Sequence, residues 1–195
     1  METSSIRDLI ISNRSCRRFD QSHAVDLETL RGLVDLARMS ASAANLQPLK
    51  YILSAAPDKN QEIFACLGWA AYLKTWDGPG PGEQPAGYIV ILGDKTITEN
   101  FRCDHGIAAQ SILLGARAAG LGGCMLAAIN HKRLREALAI PEHLDILLVV
   151  ALGKPFETIV LESLPADGNI RYWRDDNGTH HVPKRSLDDI IAASW

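Results

Sequence analysis

The 195-residue chain is 47% apolar and 22% charged, with a formal net charge of −3. That length suits one compact domain, residues 1–195, with a sizeable core, and the balance is that of an ordinary globular protein. Weak net acidity gives no overall electrostatic drive toward nucleic acid or a membrane surface.

Cys16, Cys66, Cys103 and Cys124 are scattered and form no C-x-x-C pair, so neither a disulfide framework nor a zinc site is suggested. The first residues lack the basic-then-apolar order of a signal peptide. Gly, Pro or charge interrupts every apolar run well before the roughly 18 residues of a membrane span. The expectation is a cytoplasmic protein with reduced thiols and no metal.

Ile6, Leu9 and Ile10 recur at helical spacing over 4–13, which predicts a first helix ending near Asn13. Asp26 reads as the N-cap of a second helix reaching about Met39, with Leu27, Leu30, Leu33, Val34 and Ala37 on its apolar face. Residues 40–48 are small and polar and close on Gln47-Pro48, where helix is disfavoured. A short strand over 50–55 follows, and Pro57 opens another helix. Over 68–85 the composition changes: Trp69, Tyr72 and Trp76 precede Asp-Gly-Pro-Gly-Pro-Gly, which holds neither a helix nor a sheet interior. A loop of that length in a compact domain is usually functional or mobile.

Residues 88–92 (YIVIL) and 146–152 (ILLVVAL) are continuous apolar runs and read as buried strands. Between them, 101–119 is an alanine-rich core helix that Gly120 ends. An extended stretch over 121–128 and a helix over about 130–139, stopped by Pro141, complete that region. In the tail, Tyr172-Trp173-Arg174 and His180-His181-Val182 flank the turn signal Asp176-Asn177-Gly178, and Ser186 caps a last short helix through Leu187, Ile190 and Ile191. Alternating strands and helices suit a parallel sheet, but two helices precede any strand and the tail is hairpin-like. Pattern alone therefore leaves α/β and α+β open.

Two segments carry chemistry. In Asn13-Arg14-Ser15-Cys16-Arg17-Arg18-Phe19, guanidiniums three apart with a hydroxyl between them can converge on a phosphate. The alternative is a solvated basic helix end, favoured by the macrodipole. Lys184-Arg185 is a second small basic cluster that suits the same kind of anion. In Ser40-Ala41-Ser42-Ala43-Ala44-Asn45-Leu46-Gln47-Pro48, small side chains let backbone lie against a flat ligand, while Ser42, Asn45 and Gln47 offer directional polar contacts. Alone, this is a capped loop.

In this order, Arg-Ser-x-Arg-x-Phe and then Ser-Ala-x-Asn-x-Gln-Pro resemble the FMN-dependent nitroreductase family. The likeness extends through Ala109-Gln110-Ser111-Ile112-Leu113-Leu114, Gly120-Leu121-Gly122-Gly123-Cys124, Gly153-Lys154-Pro155 and Pro183-Lys184-Arg185. The resemblance implies an α+β, nitroreductase-like fold, with a central, mostly antiparallel sheet flanked by helices, in an intertwined homodimer with two FMN sites at the interface. It implies that Arg14, Ser15, Lys184 and Arg185 hold the phosphate and that Arg17 reaches the pyrimidine edge near N1 and O2. Ser42, Asn45 and Gln47 are implied to line the ring or ribityl chain, some from the facing subunit, and the backbone of Leu126, Ala127 and Ala128 to run near N5 and O4.

The activity implied is hydride transfer from NADH or NADPH, through flavin N5, to small electron-poor acceptors such as nitroaromatics and quinones, by a ping-pong mechanism. No catalytic side chain is then required, because the cofactor carries the chemistry. Two other readings keep the fold: a dedicated reductive dehalogenase or metabolite dehydrogenase, and a non-catalytic flavin-binding or redox-sensing protein. The sequence departs from the family pattern at Asn13, where another Arg is frequent, at Ala41 and Ala43 in place of Pro and Ser, and at Leu49 where an aromatic is common.

Trp69, Tyr72 and Trp76 have near-helical spacing and fit either core packing or a lid on the substrate side. Cys103, Asp104 and His105 are adjacent, but neighbours along a helix point apart, so they do not make a metal site. His180 and His181 on one strand face opposite ways. Gly120-x-Gly122-Gly123 follows a helix and lacks the G-x-G-x-x-G spacing of a dinucleotide fingerprint.

Overall fold

The computed structural model describes residues 5–195. The first four residues, part of the signal-peptide reading, lie outside the described residues. By internal contacts the chain divides into two compact units, one running to Trp69 and resuming at Gly78–Phe156, the other combining Ala70–Asp77 with Glu157–Trp195.

The larger unit is built on five strands: β1 (Phe19–Asp20), β2 (Leu49–Ser54), β3 (Gly87–Asp94), β4 (Gly122–Leu126) and β5 (Leu144–Pro155). All of their ladder pairings are antiparallel, in the order β1-β5-β3-β2 with β4 also on β5. This resolves the choice between α/β and α+β in favour of α+β. The run ILLVVAL becomes the middle of β5, with partners on both edges, which is why it contains no alternating polar residues.

Five helices accompany the sheet: α1 (Ile6–Ser12), α2 (Leu27–Arg38), α3 (Pro57–Phe64), α4 (Asp104–Ala118) and α5 (His131–Ala137). Their starts follow local chemistry. Ser5 and Asp8 form a reciprocal capping box on α1, Asp26 accepts from the Thr29 N–H at 2.7 Å, and Pro57 occupies the first turn of α3. Leu30, Leu33 and Ala37 of α2 and Ala108, Ala109, Ile112, Leu113 and Ala116 of α4 form one core with Ile89, Ile91, Leu148, Val150 and Leu152. On the opposite strand face Val90 and Val149 are buried too, and α3 contacts both β3 and α5, burying Ile63 and Leu134 completely.

α4 begins three residues later than the sequence pattern predicts. Phe101 instead lies over Gly93, where any Cβ would collide with its ring, and Arg102 takes φ 49° to turn the chain into the helix. α1 buries none of its residues, and Ile6, Ile10 and Ile11 are exposed along with Leu36 of α2, Met39 just after it and Ile107 of α4.

The smaller unit holds a three-stranded sheet of β6 (Ile159–Ser163), β8 (His180–Lys184) and β7 (Trp173–Arg174), followed by α6 (Leu187–Ile190). β7 and β8 form the predicted antiparallel hairpin, while β6 joins β8 in parallel.

Candidate functional site

The basic segment leaves α1 and runs beside β4. Ser15 bridges Gly123 in parallel, and the Cys16 N–H donates to the Gly123 carbonyl at 3.0 Å. Arg14 is partly buried: its Nε donates to the Asn13 carbonyl at 2.6 Å and its Nη2 to the Ile10 carbonyl at 2.8 Å, satisfying the last turn of α1. Burial lowers its pKa from the usual arginine value. Arg17 Nη1 donates to the Ser15 carbonyl at 3.3 Å.

Arg18 is committed elsewhere. Its Nε donates to Glu83 Oε2 at 2.7 Å and its Nη2 to Glu83 Oε1, a bidentate pair. Around it the Phe19 N–H donates to the Glu83 carbonyl at 2.9 Å, and Gln21 Oε1 accepts from the Gly82 N–H at 2.8 Å. The Gly-Pro stretch is thereby pinned to β1, so over 78–85 it is an anchored loop.

β4 carries the chain past the basic segment. Its ladder ends at Leu126, and Ala127 and Ala128 leave it exposed. The Ala128 carbonyl accepts from the Gly68 N–H at 2.7 Å, whereas among the described residues the N–H groups of Ala127 and Ala128 donate to no backbone carbonyl. The basic segment thus lies beside β4 at Gly123, and the N–H groups of Ala127 and Ala128 lie just beyond that strand's end.

The second segment is organised by a residue the sequence reading did not select. Asp104, buried to 4% exposure in the first turn of α4, accepts from Ser42 Oγ at 2.6 Å and from the Ala43 N–H at 3.0 Å. Ser42 Oγ in turn accepts from the Gln47 N–H at 2.9 Å. Between them Ala44, Asn45 and Gln47 all lie in the left-handed region, at φ 50°, 55° and 51°. Asn45 and Gln47 are exposed. In the sequence Asp104 stands out only beside Cys103 and His105, a grouping that points to no site, and as an acid near a helix start, which many helices share.

A cavity of about 300 Å³ opens beside this loop, lined by Val34, Ala37, Leu49, Tyr51, Asp104 and Ala108 together with the loop itself. Burial, and then the Asp104 charge, push the Tyr51 phenol pKa up. The two motif segments sit at different points along α4. Gly123 packs against Leu113 and the loop against Asp104, nine residues apart, or about 13 Å at 1.5 Å per residue.

The aromatic trio separates. Trp69 is buried in the larger unit, 5.6 Å from the Phe64 ring centroid and covered by Gly78. Tyr72 packs on Tyr172 at 4.9 Å, and Trp76 lies under the Arg174 guanidinium at 4.8 Å, both within the smaller unit. In that unit Lys184 and Arg185 are exposed at the end of β8. His180 is buried, and His181 lies flat on Trp173 at 4.0 Å with Glu162 and Asp175 at its two ring nitrogens. Among the described residues no three His, Cys, Asp or Glu side chains gather as a metal site, and no helix is long and apolar enough to cross a membrane.

An antiparallel sheet with helices on both faces, and a basic N-terminal segment laid on one of its strands, defines an α+β protein of the nitroreductase-like kind. The model of the nitroreductase family matches residues 10–154, and the chain belongs to that family. Among its relatives is Protein DrgA of Synechocystis sp., 24% identical over 176 residues, covering 77% of this chain and 84% of the relative. The NADPH-flavin oxidoreductase of Vibrio harveyi is 25% identical over 165 residues, covering 76% of this chain and 65% of the relative. The fold matches the crystal structure of a nitroreductase-like protein from Streptococcus mutans with a TM-score of 0.69 over 97% of this chain and 98% of that one, at 14% identity.

Proposed function

We propose that this protein is a cytoplasmic, homodimeric FMN-dependent oxidoreductase that takes a hydride from NADH or NADPH and reduces small electron-poor acceptors such as nitroaromatics and quinones, donor and acceptor binding in turn. The observation that carries the reading is the junction of the basic segment with β4. Ser15 on Gly123 brings the basic segment alongside a strand that is followed by two exposed alanines, whose N–H groups donate to no backbone carbonyl among the described residues. Those residues fit FMN: a phosphate requires cations and short donors, and a flat ring edge requires small side chains and directed amides.

FMN supplies two-electron hydride chemistry that side chains lack. The protein's part is to bind and orient. Arg14 and Ser15 would hold the phosphate. Arg17 would set a fixed cation beside the pyrimidine edge, favouring negative charge there. The N–H groups of Ala127 and Ala128, following Leu126, would fix the opposite edge. Asn45 and Gln47 would present polar groups, with Ser42 behind them.

Two features support a homodimer. The separation of the two motif segments along α4 leaves room for the 42–47 loop to serve a partner's site. The uncovered Ile6, Ile10, Ile11, Leu36, Met39 and Ile107 give the larger unit an apolar surface suited to association.

The test is an absorbance spectrum of the purified protein before and after anaerobic addition of NADH or NADPH, followed by turnover with nitroaromatic and quinone acceptors. Flavin bands that bleach with nicotinamide and return with acceptor are expected. A protein that remains colourless after incubation with FMN would overturn the proposal, and bound FMN without turnover would leave a binding protein.

A further inference from the structure

We infer that Asp104 is a positioning residue of the cofactor site: acting through Ser42, it holds the 42–47 loop in the left-handed form that presents Asn45 and Gln47. This inference rests on the FMN reading for its functional meaning, but its structural core is independent of it.

A carboxylate only accepts, so the 2.6 Å contact with Asp104 Oδ2 consumes the one proton of the Ser42 hydroxyl. The Gln47 N–H occupies one Ser42 lone pair at 2.9 Å, and Asp104 Oδ1 takes the Ala43 N–H at 3.0 Å. One buried side chain thus ties both ends of the loop. Ser42 has no proton left to donate and faces a ligand only as an acceptor. Donation from this loop falls to the exposed side chain of Asn45, to the backbone and to Gln47 Nε2, which also donates to the Asn45 carbonyl at 3.2 Å.

The loop needs such a tie. Left-handed backbone is disfavoured for L side chains other than Asn, and here Ala44 and Gln47 adopt it as well as Asn45. The loop's own backbone bonds are two turn contacts, Asn45 N–H to Ser42 carbonyl at 2.9 Å and Leu46 N–H to Ala43 carbonyl at 3.1 Å. Neither fixes Gln47. Both side-chain hydrogen bonds of Asp104 among the described residues go to the loop rather than to its own helix, and the residue is almost fully buried, which distinguishes it from an ordinary helix-start acid.

The test is a double-mutant cycle of Asp104→Ala and Ser42→Ala in the full chain, read by the FMN dissociation constant and by hydrogen exchange of the 42–47 segment without flavin. Asp104→Ala should weaken FMN binding by about tenfold in the parent, as expected for losing charge-assisted bonds. In the Ser42→Ala background the loss should be smaller, about threefold, because the relay to Gln47 is already cut and only the bond from the Ala43 N–H to Asp104 Oδ1 remains to be lost. Exchange in 42–47 should quicken about tenfold or more while β3 stays protected. Asp104→Asn, which keeps an acceptor for Ala43 and can donate to Ser42, should restore affinity to within about threefold of the parent.

Equal losses in both backgrounds, or unchanged exchange in 42–47, would overturn the inference. If the parent binds no FMN, the functional proposal falls, and the exchange measurement decides the role of Asp104 in holding the loop. If Asp104→Ala does not fold, the Asp104→Asn and Ser42→Ala proteins carry the same comparison: Asn at 104 should leave 42–47 protected and Ala at 42 should not, and the reverse would refute the relay.

Discussion

Replacing Gly123 by alanine tests the junction on which the proposed site is built. A Cβ there would lie 2.9 Å from methyl groups of both Leu113 and Leu152, and nearer still to the Ala151 carbonyl oxygen. The leucine ends can rotate away. The carbonyl cannot, because Ala151 belongs to β5, which is paired with β4 on one side and β3 on the other. The strands must therefore part. Overpacking costs about 1–3 kcal/mol, and a backbone obstacle puts this case near the top of that range. In a protein of this size each kcal/mol moves Tm by about 2–4 °C, so a fall of roughly 6–12 °C is expected. Ser15 pairs with Gly123 and the Cys16 N–H bonds to its carbonyl, so FMN occupancy should fall as well. Thermal melts by circular dichroism, with the flavin-to-protein absorbance ratio of the same samples, measure both effects. A variant melting within about 2 °C of the parent and carrying a full complement of FMN would refute the reasoning.

Gly32→Ala is the counterpart: the position lies inside α2 with nothing within 4 Å of the added Cβ, so helix propensity should raise Tm by about 2–4 °C in the same melts. Glu83→Ala leaves the Arg18 guanidinium without its bidentate partner. A loss of about 1 kcal/mol is expected, since both groups are a quarter exposed, together with faster limited proteolysis within 78–85. Arg17→Ala should weaken FMN binding by about tenfold or more in a fluorescence titration, with little change in Tm of the flavin-free protein. His181 gives a pH dependence. Its hydrogen bond with Glu162, then that with Asp175, raises its pKa, so the fold favours the protonated ring. The stabilisation is complete below about pH 6.5 and is lost as pH rises through the raised value. Hydrogen exchange of 180–184 should accordingly be slower, after correction for intrinsic rates, at about pH 5.5 than at about pH 8.5, and His181→Phe should abolish that difference.

Much of the fold was legible because its causes are local. The Asp26 cap, Pro57 at a helix start, the apolar face of α2 and the continuous run in β5 each depend on residues a few positions apart. Where a non-local contact intervened, the reading departed from the structure. The helix pattern reached Phe101, but the ring of that residue packs on Gly93 and the helix begins at Asp104. β6 went unpredicted because IVLES is a weak pattern that gains its ladder only from β8.

The candidate site divides in the same way. Motif order alone marked Arg14, Ser15, Arg17, Ser42, Asn45 and Gln47 and the family to which they point, because residue types at fixed spacing are a property of the chain. It did not distinguish Arg18, whose partner Glu83 is 65 positions away, nor find Asp104, 62 positions from Ser42. Side-chain periodicity and capping are short-range preferences that a string of residues carries with it. Which buried acceptor meets which donor depends on how the strands stack and where the helices land, and only the tertiary structure decided that.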